Sequence, residues 1–337
     1  MSGYCTVSIG SGLVDSIYGN CQVPLKSYLE KRGEAFERES LLKYLFRMET
    51  SRHWAERYSA ETAMDSFVPV GEGGDYPKTG FQESYKKDIE NMTFKNSFAV
   101  TRELMEDAMI GTMKQRANQL ITSYGRTREL FGRALYAGGL YGTTVAYGGK
   151  SFQCGSADGL NLFHKEHVNK VNGAKQCNLY KGAFSATVLD KMETEKQNRT
   201  GDNGELLAVA PDTIWIPNDA DLKRKVFSAI GADKEPTSAN NAYNYQFGRW
   251  NVIVDPYMTK ALKDLGKTDV PFFLLDSHFI QMADAAIFQD RVKLEVRSVL
   301  DENNDNNVWK GFSRFGAGFV DWRFISAGNM STGNDLT

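Results

Sequence analysis

Cys154, His164, His167 and Cys177 are the residues of this sequence whose types fit a metal site. Thiolate and imidazole groups are the usual protein ligands of zinc. The four residues are separated by nine, two and nine positions, and no tight Cys-x-x-Cys pair preorganises them. We therefore expect His164 and His167 to be hydrogen-bonded loop residues, and we expect no metal and no cofactor.

Two other short motifs resemble ligand-binding loops. Gly148–Ser151 ends like a phosphate-binding loop, but Thr144 stands where that loop needs its first glycine, and a helix end precedes it. The run Asp301–Asn307 copies only the first ligand positions of a calcium loop. We expect a flexible loop and a polar hairpin turn at these positions. The sequence contains no serine-hydrolase elbow, zinc-protease helix or dinucleotide fingerprint, so it gives no positive sign of catalysis.

Composition excludes several classes of protein. The chain has 337 residues and a formal net charge of −2, without the strongly basic balance of a dedicated nucleic-acid binder. No apolar run approaches the roughly 20 residues that span a bilayer. The first residues lack a secretory signal pattern, and four widely spaced cysteines indicate reduced thiols in a cytosolic setting.

A long helix from Thr101 to about Gly138 is the element on which the others are expected to lie. At about 1.5 Å per residue it would be about 50 Å long. Gly111 and Gly125 inside it predict a bend or close packing. Its predicted buried stripe is Met105, Met109, Met113, Ala117, Leu120, Ile121, Tyr124, Phe131 and Leu135. Its predicted charged flanks are Arg102, Glu106, Lys114, Arg116, Arg126 and Arg133.

The region before this helix does not resemble a domain core. Residues 1–32 show no sustained periodicity and predict an extended arm, and Glu34–Tyr58 shows a helical pattern. Glycine and proline crowd Phe67–Gly80, and apolar residues alternate with polar ones over Met92–Val100. We expect a projecting hairpin over Phe67–Val100. Because an isolated hairpin is marginal in water, it must lie against another surface, such as a second subunit.

Shorter elements follow the long helix. The sequence predicts helices over Ser185–Asn198 and from Asn218 or Asp219 to Ile230, and strands over Leu206–Ile216, Arg249–Val254, Phe272–Leu275, Arg291–Arg297 and Val308–Phe324.

Four segments carry a resemblance to a known family: Lys95–Asp107, Leu162–His167, Ala208–Pro217 with Trp250–Tyr257, and Phe312–Arg323. In their order and spacing the chain resembles the major capsid proteins of tailed bacteriophages, whose fold is shared with herpesvirus capsids and encapsulin shells. The similarity covers residues 67–327.

The resemblance implies an α+β fold with five parts. These are an N-terminal arm and helix (1–59), an extended loop (60–100), a peripheral domain with a long spine helix (101–205 and 285–330), an axial domain (206–284) and a tail (331–337). The region before Phe67 is too short for a long cleaved scaffolding segment, so we expect a separate scaffold or none.

The implied function is a non-enzymatic shell protein of the virion, assembled in the host cytoplasm through a procapsid. Its expected partners are copies of itself in hexamers and pentamers, together with scaffold, portal or decoration proteins. Packaged double-stranded DNA would be contacted weakly and non-specifically, as the near-neutral charge suits, and no membrane is involved. An encapsulin-type compartment for cargo enzymes is the alternative, and a metal-dependent enzyme built around His164 and His167 is the third.

Subunit contacts are expected at two places. The apolar residues of the hairpin, on a segment too thin to bury them, are Phe67, Val68, Val70, Tyr76, Phe81, Met92 and Phe94. The polar loop Gly231–Asn244, with Lys234, Asn240 and Asn241, is expected near capsomer centres.

Overall fold

The computed structural model describes residues 31–61, 67–78, 83–103, 110–231, 243–301 and 306–336. Its helices are α1 (31–39), α2 (Leu42–Leu45), α3 (Ile110–Gly139), α4 (Ala186–Gln197), α5 (Ala220–Ile230), α6 (Pro256–Asp264) and α7 (Ser277–Met282). Within these residues the strands fall into two four-stranded sheets and three two-stranded ones.

The predicted long helix is present as α3, which has 30 residues. At 1.5 Å per residue it is about 45 Å long. The predicted stripe is buried at Ala117, Leu120, Ile121, Tyr124, Phe131 and Leu135. Met105 and Met109 lie outside the described residues. A Cβ on Gly125 would lie 2.1 Å from Phe36 Cε1, so this glycine permits α1 to pack closely on the helix, as expected.

Arg133 was expected on the charged flank of this helix, and that prediction is wrong. Its side chain is fully buried. Arg133 Nε donates to Asp255 Oδ2 at 2.6 Å, and Glu129 forms a second ion pair with it. A buried guanidinium requires such partners, and here they come from one turn away and from a distant strand.

The predicted single helix over Glu34–Tyr58 is also wrong beyond Leu45. Ser40 separates α1 from α2, and Phe46 takes an extended conformation. The chain then forms β1 (Arg47–Thr50), which pairs parallel with β12 (Ala286–Asp301). Pairing with a strand so distant in sequence overrides the local helical pattern.

The first sheet has the order β1-β12-β13-β4. Strands β12 and β13 (Asn306–Phe319) form a long antiparallel hairpin, and β4 (Met92–Val100) pairs antiparallel with β13. Residues 302–305, within the predicted polar turn, lie outside the description. Phe94 of β4 stacks on Phe315 of β13 at a centroid distance of 4.1 Å.

The projecting hairpin therefore has different flanks from those predicted. Strand β3 (Glu83–Glu90) pairs antiparallel with β2 (Ala55–Glu61), whereas β4 lies in the first sheet. Met92 and Phe94 are half-buried in their own subunit, and Phe94 packs against the main core. The expectation that Phe94 has no core of its own is wrong, because β13 supplies a neighbouring strand.

The second sheet has the order β10-β9-β11-β14 and is buried on both faces. Its strands are β9 (Thr213–Pro217), β10 (Asn251–Asp255), β11 (Phe272–Leu275) and β14 (Ile325–Gly328). Trp215 and Phe273 join the main core with α3 and α6. Ile214 and Leu274 point the other way, into a second core with α4 and α5.

Two elements depart from the sequence-based division of the chain. Helix α4 packs in the core of the second sheet, and β14 pairs with β11 within that sheet. Both fall in the segments assigned from sequence to the peripheral domain. The predicted helix starts are confirmed, since Ser185 and Asp219 each accept a backbone N–H at an N-cap.

The irregular region after α3 contains two small hairpins. One joins β5 (Thr144–Tyr147) to β6 (Lys150–Gln153), and the other joins β7 (His167–Val168) to β8 (Lys175–Gln176). Gly148 and Gly149 form the first turn with positive φ, so the supposed phosphate loop is a hairpin turn. Within the described residues, no helix combines the length and apolarity needed to cross a bilayer.

Candidate subunit-contact surfaces

The β2–β3 hairpin is fixed to the first sheet at its root. Ile89 is buried against Ile287 and Val320. Asn91, at the corner between β3 and β4, is only 3% exposed, and its backbone N–H donates to Trp54 O at 3.0 Å. Its position is therefore defined within a single subunit.

The inner face of the hairpin shaft, which β2 and β3 form, contacts both the loop that follows β6 and strand β7. Lys87 Nζ donates to Gly155 O at 2.9 Å, and the Tyr85 hydroxyl donates to Val168 O at 3.4 Å. Burial lowers the pKa of Lys87. On the outer face Arg57 forms a bidentate pair with Asp88, at 2.7 and 2.8 Å. The shaft is thus held by polar contacts along its length.

The tip of the hairpin, residues 67–78, is exposed throughout. Phe67 is 102% exposed and Tyr76 is 93% exposed, with Val68 and Val70 also exposed. Gly73 adopts positive φ and Gly74 N–H donates to Gly71 O, which closes a turn at the end. Apolar side chains in water at the end of a projecting element are typical of a surface that is covered by a partner. Phe81, the remaining predicted tip residue, lies outside the description.

A second exposed surface lies along β12, β13 and β4 of the first sheet. It is a groove of about 600 Å³. Its floor includes Phe312 and Val299, and basic side chains stand along it from neighbouring strands, with Lys95 Nζ 5.8 Å from the Phe312 ring centre. The groove residues are Lys95, Asn96, Ser97, Glu295, Arg297, Val299, Lys310, Gly311 and Phe312.

Exposed aromatic residues also lie on α5 and on the segment that precedes β10. Tyr243 is 75% exposed, and Tyr245, Phe247 and Phe227 are each about half exposed. Phe227 lies in α5, Tyr243 lies at the end of the loop predicted near capsomer centres, and Tyr245 and Phe247 follow that loop. The loop residues Lys234, Asn240 and Asn241 lie outside the described residues. Sequence reasoning missed these aromatics, although the spacing Tyr-x-Tyr-x-Phe in a polar loop is a detectable signal.

The body behind these surfaces is tied together by buried ionic groups. Asp255, fully buried, accepts from Arg133 Nε at 2.6 Å and from Trp215 Nε1 at 3.2 Å, and it also caps α6. Arg128 of α3 pairs with Asp290 of β12 at 2.5 Å. These pairs join α3 to both sheets, so the surfaces are presented by one continuous framework.

The two histidines considered for a metal site have other partners. His167 is fully buried, shares a 2.6 Å hydrogen bond with Asp158 through Nδ1, and stacks on Trp322 at 4.1 Å. Burial lowers its pKa, and the hydrogen bond to Asp158 opposes that effect only in part. His164 Nδ1 accepts from the Glu166 N–H at 3.1 Å.

The cysteines do not form a site with these histidines. Cys154 is a buried free thiol that lies 3.4 Å from Gly142 O, and burial raises its pKa to about 12. Among the described residues, no group of three or more His, Cys, Asp and Glu is arranged to hold a metal ion.

Residues 86–327 match the family model of the phage capsid protein. This chain belongs to the phage capsid protein family. The match includes β4, α3 and both sheets, and so spans the framework described above. No curated protein sequence matches the chain significantly.

Solved phage capsids share the fold. The capsid of Ralstonia phage GP4 is 9% identical, with a TM-score of 0.54, and the alignment covers 84% of this chain and 86% of that one. The cyanophage P-SCSP1u capsid is 10% identical, with a TM-score of 0.51 and coverage of 86% and 87%. A chain of Mycobacterium phage Patience is 9% identical, with a TM-score of 0.50 and coverage of 94% and 90%.

The resemblance seen in the sequence is confirmed. The chain is a major capsid protein of the tailed-phage type, with the predicted α+β capsid fold, and it is a structural component of the virion. The encapsulin alternative is not favoured. As a capsid protein, it self-assembles into a shell with copies of itself.

Proposed function

We propose that this capsid protein closes an icosahedral shell around double-stranded DNA by means of the tip of its β2–β3 hairpin. The observation that carries the proposal is the exposure of the tip in the single subunit. Phe67 and Tyr76 are almost fully accessible, whereas the root of the same hairpin is buried. Such a hairpin holds an apolar surface at a distance from its own core, where a neighbouring copy can cover it.

The energy available from this contact is substantial. Burying a large apolar side chain contributes about 1.5–3 kcal/mol relative to leaving it exposed. Four tip residues, Phe67, Val68, Val70 and Tyr76, are exposed in the subunit and would gain this term only in the shell. The ordering of the segment subtracts from the gain. Because the contact repeats at every copy, even a small surplus per subunit stabilises the closed particle.

We further propose a division of the chain into domains that follows the two sheets. The peripheral domain comprises α3 with the first sheet, and the axial domain comprises the second sheet with α4 and α5. The assignment of α4 and β14 to the axial unit rests on their packing and pairing there. The exposed aromatics at Tyr243, Tyr245 and Phe247 then belong to the axial unit, and we place them at contacts around capsomer centres in hexamers and pentamers.

The remaining roles are those of a shell rather than of an enzyme. The family is structural, and the groups most suited to chemistry, His167 and Asp158, are engaged with each other in a buried, stacked arrangement. The net charge of −2 suits weak, non-specific contact with packaged DNA. Scaffold, portal or decoration proteins are the further partners that we propose.

Deleting residues 71–80 tests the role of the tip. We expect a soluble subunit with nearly normal helix content and an unchanged melting temperature, and no closed particles. Circular dichroism and sedimentation of wild type and deletion provide the two measurements. Unfolding of the isolated subunit, or normal particles, would contradict the proposal. A variant with Phe67, Val68, Val70 and Tyr76 all replaced by serine keeps the length of the tip and should also fail to close.

A further inference from the structure

A buried glutamine from the first sheet holds the root of the hairpin. Gln289 of β12 is fully buried. Its side-chain Nε2 donates to Ile89 O at 2.8 Å and to Asn91 Oδ1 at 3.0 Å. The amide group of Gln289 therefore donates two hydrogen bonds, one to the end of β3 and one to the corner that follows it.

The other hairpin strand reaches the same glutamine. The Tyr58 hydroxyl of β2 donates to Glu49 Oε2 at 3.0 Å and lies 3.2 Å from Gln289 Oε1. Burial, with Glu49 as the second cause, raises the pKa of Tyr58, so the hydroxyl keeps its proton. One side chain of the sheet thus contacts both strands of the hairpin.

Asn91 extends this arrangement to the segment that enters the hairpin. Its Nδ2 donates to Ser51 Oγ at 2.7 Å and to His53 O at 3.0 Å. Glu56 Oε1 in turn accepts from Ser51 Oγ at 2.8 Å and from Arg52 N at 2.8 Å. The polar groups of the root are satisfied by one another, as buried polar groups must be.

The end of β3 packs so closely on the backbone of β13 that it has no room for another position. A Cβ on Gly316 would lie 2.3 Å from Glu90 O, and one on Gly318 would lie 3.0 Å from Ile89 Cδ1. The end of β3 is therefore seated directly on two glycines of β13. Contact with backbone below and with Gln289 at the side defines the angle at which the hairpin leaves the sheet.

We propose that Gln289 is a positioning residue for assembly, which sets the direction of the hairpin and so the place where its tip meets a neighbouring subunit. A residue that merely stabilises the core would bond to the core. The side-chain contacts of Gln289 instead go to Tyr58, Ile89 and Asn91, which belong to the hairpin and its corner. The inference rests on the proposed function of the tip.

The test replaces Gln289 by methionine, which keeps the length and apolar volume and removes both donors. Asn178→Leu is the matched control. Asn178 is also fully buried and donates from Nδ2 to Leu162 O at 2.8 Å, but it bonds to loops that do not form the hairpin root. Hydrogen exchange of the segment 83–90 is measured on unassembled full-length subunits, separated from particles by sedimentation. Particle size and closure are measured by electron microscopy.

We expect exchange over 83–90 to become at least about tenfold faster in Gln289→Met, because two hydrogen bonds at the root are lost. We expect its particles to be absent or irregular. Asn178→Leu should keep wild-type exchange over 83–90, whatever its loss of melting temperature. If Gln289→Met does not fold, Tyr58→Phe serves in its place, because it removes only a hydroxyl from the same root, and a smaller acceleration is expected.

Two outcomes overturn the inference in different ways. Unchanged exchange over 83–90 in the variants, while deletion of residues 71–80 still abolishes particles, would refute the role of Gln289 and leave the tip proposal intact. Faster exchange together with normal, uniform particles would show that hairpin direction does not matter for closure. That result would refute the role of Gln289, while deletion of residues 71–80 would still decide the function of the tip.

Discussion

The second sheet and the β2–β3 hairpin distribute their polar and apolar groups in opposite ways. In the second sheet, apolar side chains such as Trp215 and Leu274 are buried on both faces. In the hairpin, the amides of Asn91 and Gln289 are buried at the root, and Phe67 and Tyr76 are exposed at the tip. A sheet that is complete in one subunit needs no partner, whereas a hairpin with an apolar tip does.

This difference separates folding from assembly within one chain. Substitutions in the second sheet should change the free energy of unfolding of the subunit. Substitutions at the tip should change only the assembly of particles. Substitutions at the root should have an effect on subunit stability between those of the second sheet and the tip. The expected loss of subunit stability therefore decreases from the second sheet to the root and then to the tip.

The largest loss is expected for Asp255→Ala. The change removes one of the two carboxylates that pair with the buried Arg133, and it also removes the cap of α6 and the acceptor of Trp215 Nε1. Breaking a buried ion pair costs about 3–5 kcal/mol. Denaturant unfolding measures the loss. The control is Asp264→Ala, at the other end of α6, whose pair with Lys260 is exposed and worth at most about 1 kcal/mol. Equal losses for the two variants would refute the argument.

A smaller loss is expected for Gly316→Ala at the hairpin root. The new methyl group would overlap Glu90 O, a backbone atom that cannot rotate away. Overpacking of this kind costs about 1–3 kcal/mol. Gly318→Ala meets the flexible end of Ile89 and should cost less. Thermal unfolding of the pair is the measurement, and the reverse order would show that β3 is not seated as described.

A pH-dependent loss is expected from His167. Burial lowers its pKa, so the folded state prefers the neutral ring while the unfolded state binds a proton below about 6.5. Stability is therefore complete above that pH and falls as the pH drops toward the lower folded-state pKa, by at most about 1.4 kcal/mol per pH unit. Nearby charges at Asp158, His164 and Arg199 contribute to that pKa.

Unfolding of wild type and His167→Gln between pH 7.5 and 5.5 tests this expectation. The variant should lose this part of the pH dependence. His164→Gln is the control and should keep most of it, because His167 stays buried and His164 is only a smaller cause of the lowered pKa of His167. A variant as pH-dependent as wild type would assign the effect to another group.

The smallest loss of stability is expected at the tip. Phe67→Ser together with Tyr76→Ser should leave the free energy of unfolding within about 0.5 kcal/mol of wild type, because both side chains are exposed. Sedimentation should nevertheless show far fewer closed particles. Leu206→Ser, at a residue that is 61% exposed outside the hairpin, should alter neither measurement. Normal assembly of the double variant would place the contact elsewhere.

Local signals in the sequence predicted a large part of this fold. The buried stripe of α3 and the N-caps Ser185 and Asp219 depend on residues within a few positions of one another, and the structure confirms them. The candidate site was predicted in part. Phe67 and Tyr76 are exposed as expected, and their contact with a neighbour stays a prediction.

The failures share a physical cause. Residues 47–50 look helical, but they pair with β12, about 240 positions later, and Phe94 finds a stacking partner more than 200 positions away. Arg133 looks like a surface charge because its partner Asp255 lies 122 positions further along the chain. Windows of ten to twenty residues do not contain such partners. The root of the hairpin was missed for the same reason.

The distance between Asn91 and Gln289 along the chain also has a consequence for timing. The two residues are 198 positions apart. At a synthesis rate of about 5–20 residues per second, the ribosome needs about 10–40 s to add the intervening chain. During that interval the hairpin exists without the glutamine that directs it. We therefore expect the hairpin of a nascent subunit to lack a fixed direction until β12 has been made. Protease protection of the hairpin in ribosome-bound chains that end before Gln289 would contradict this expectation.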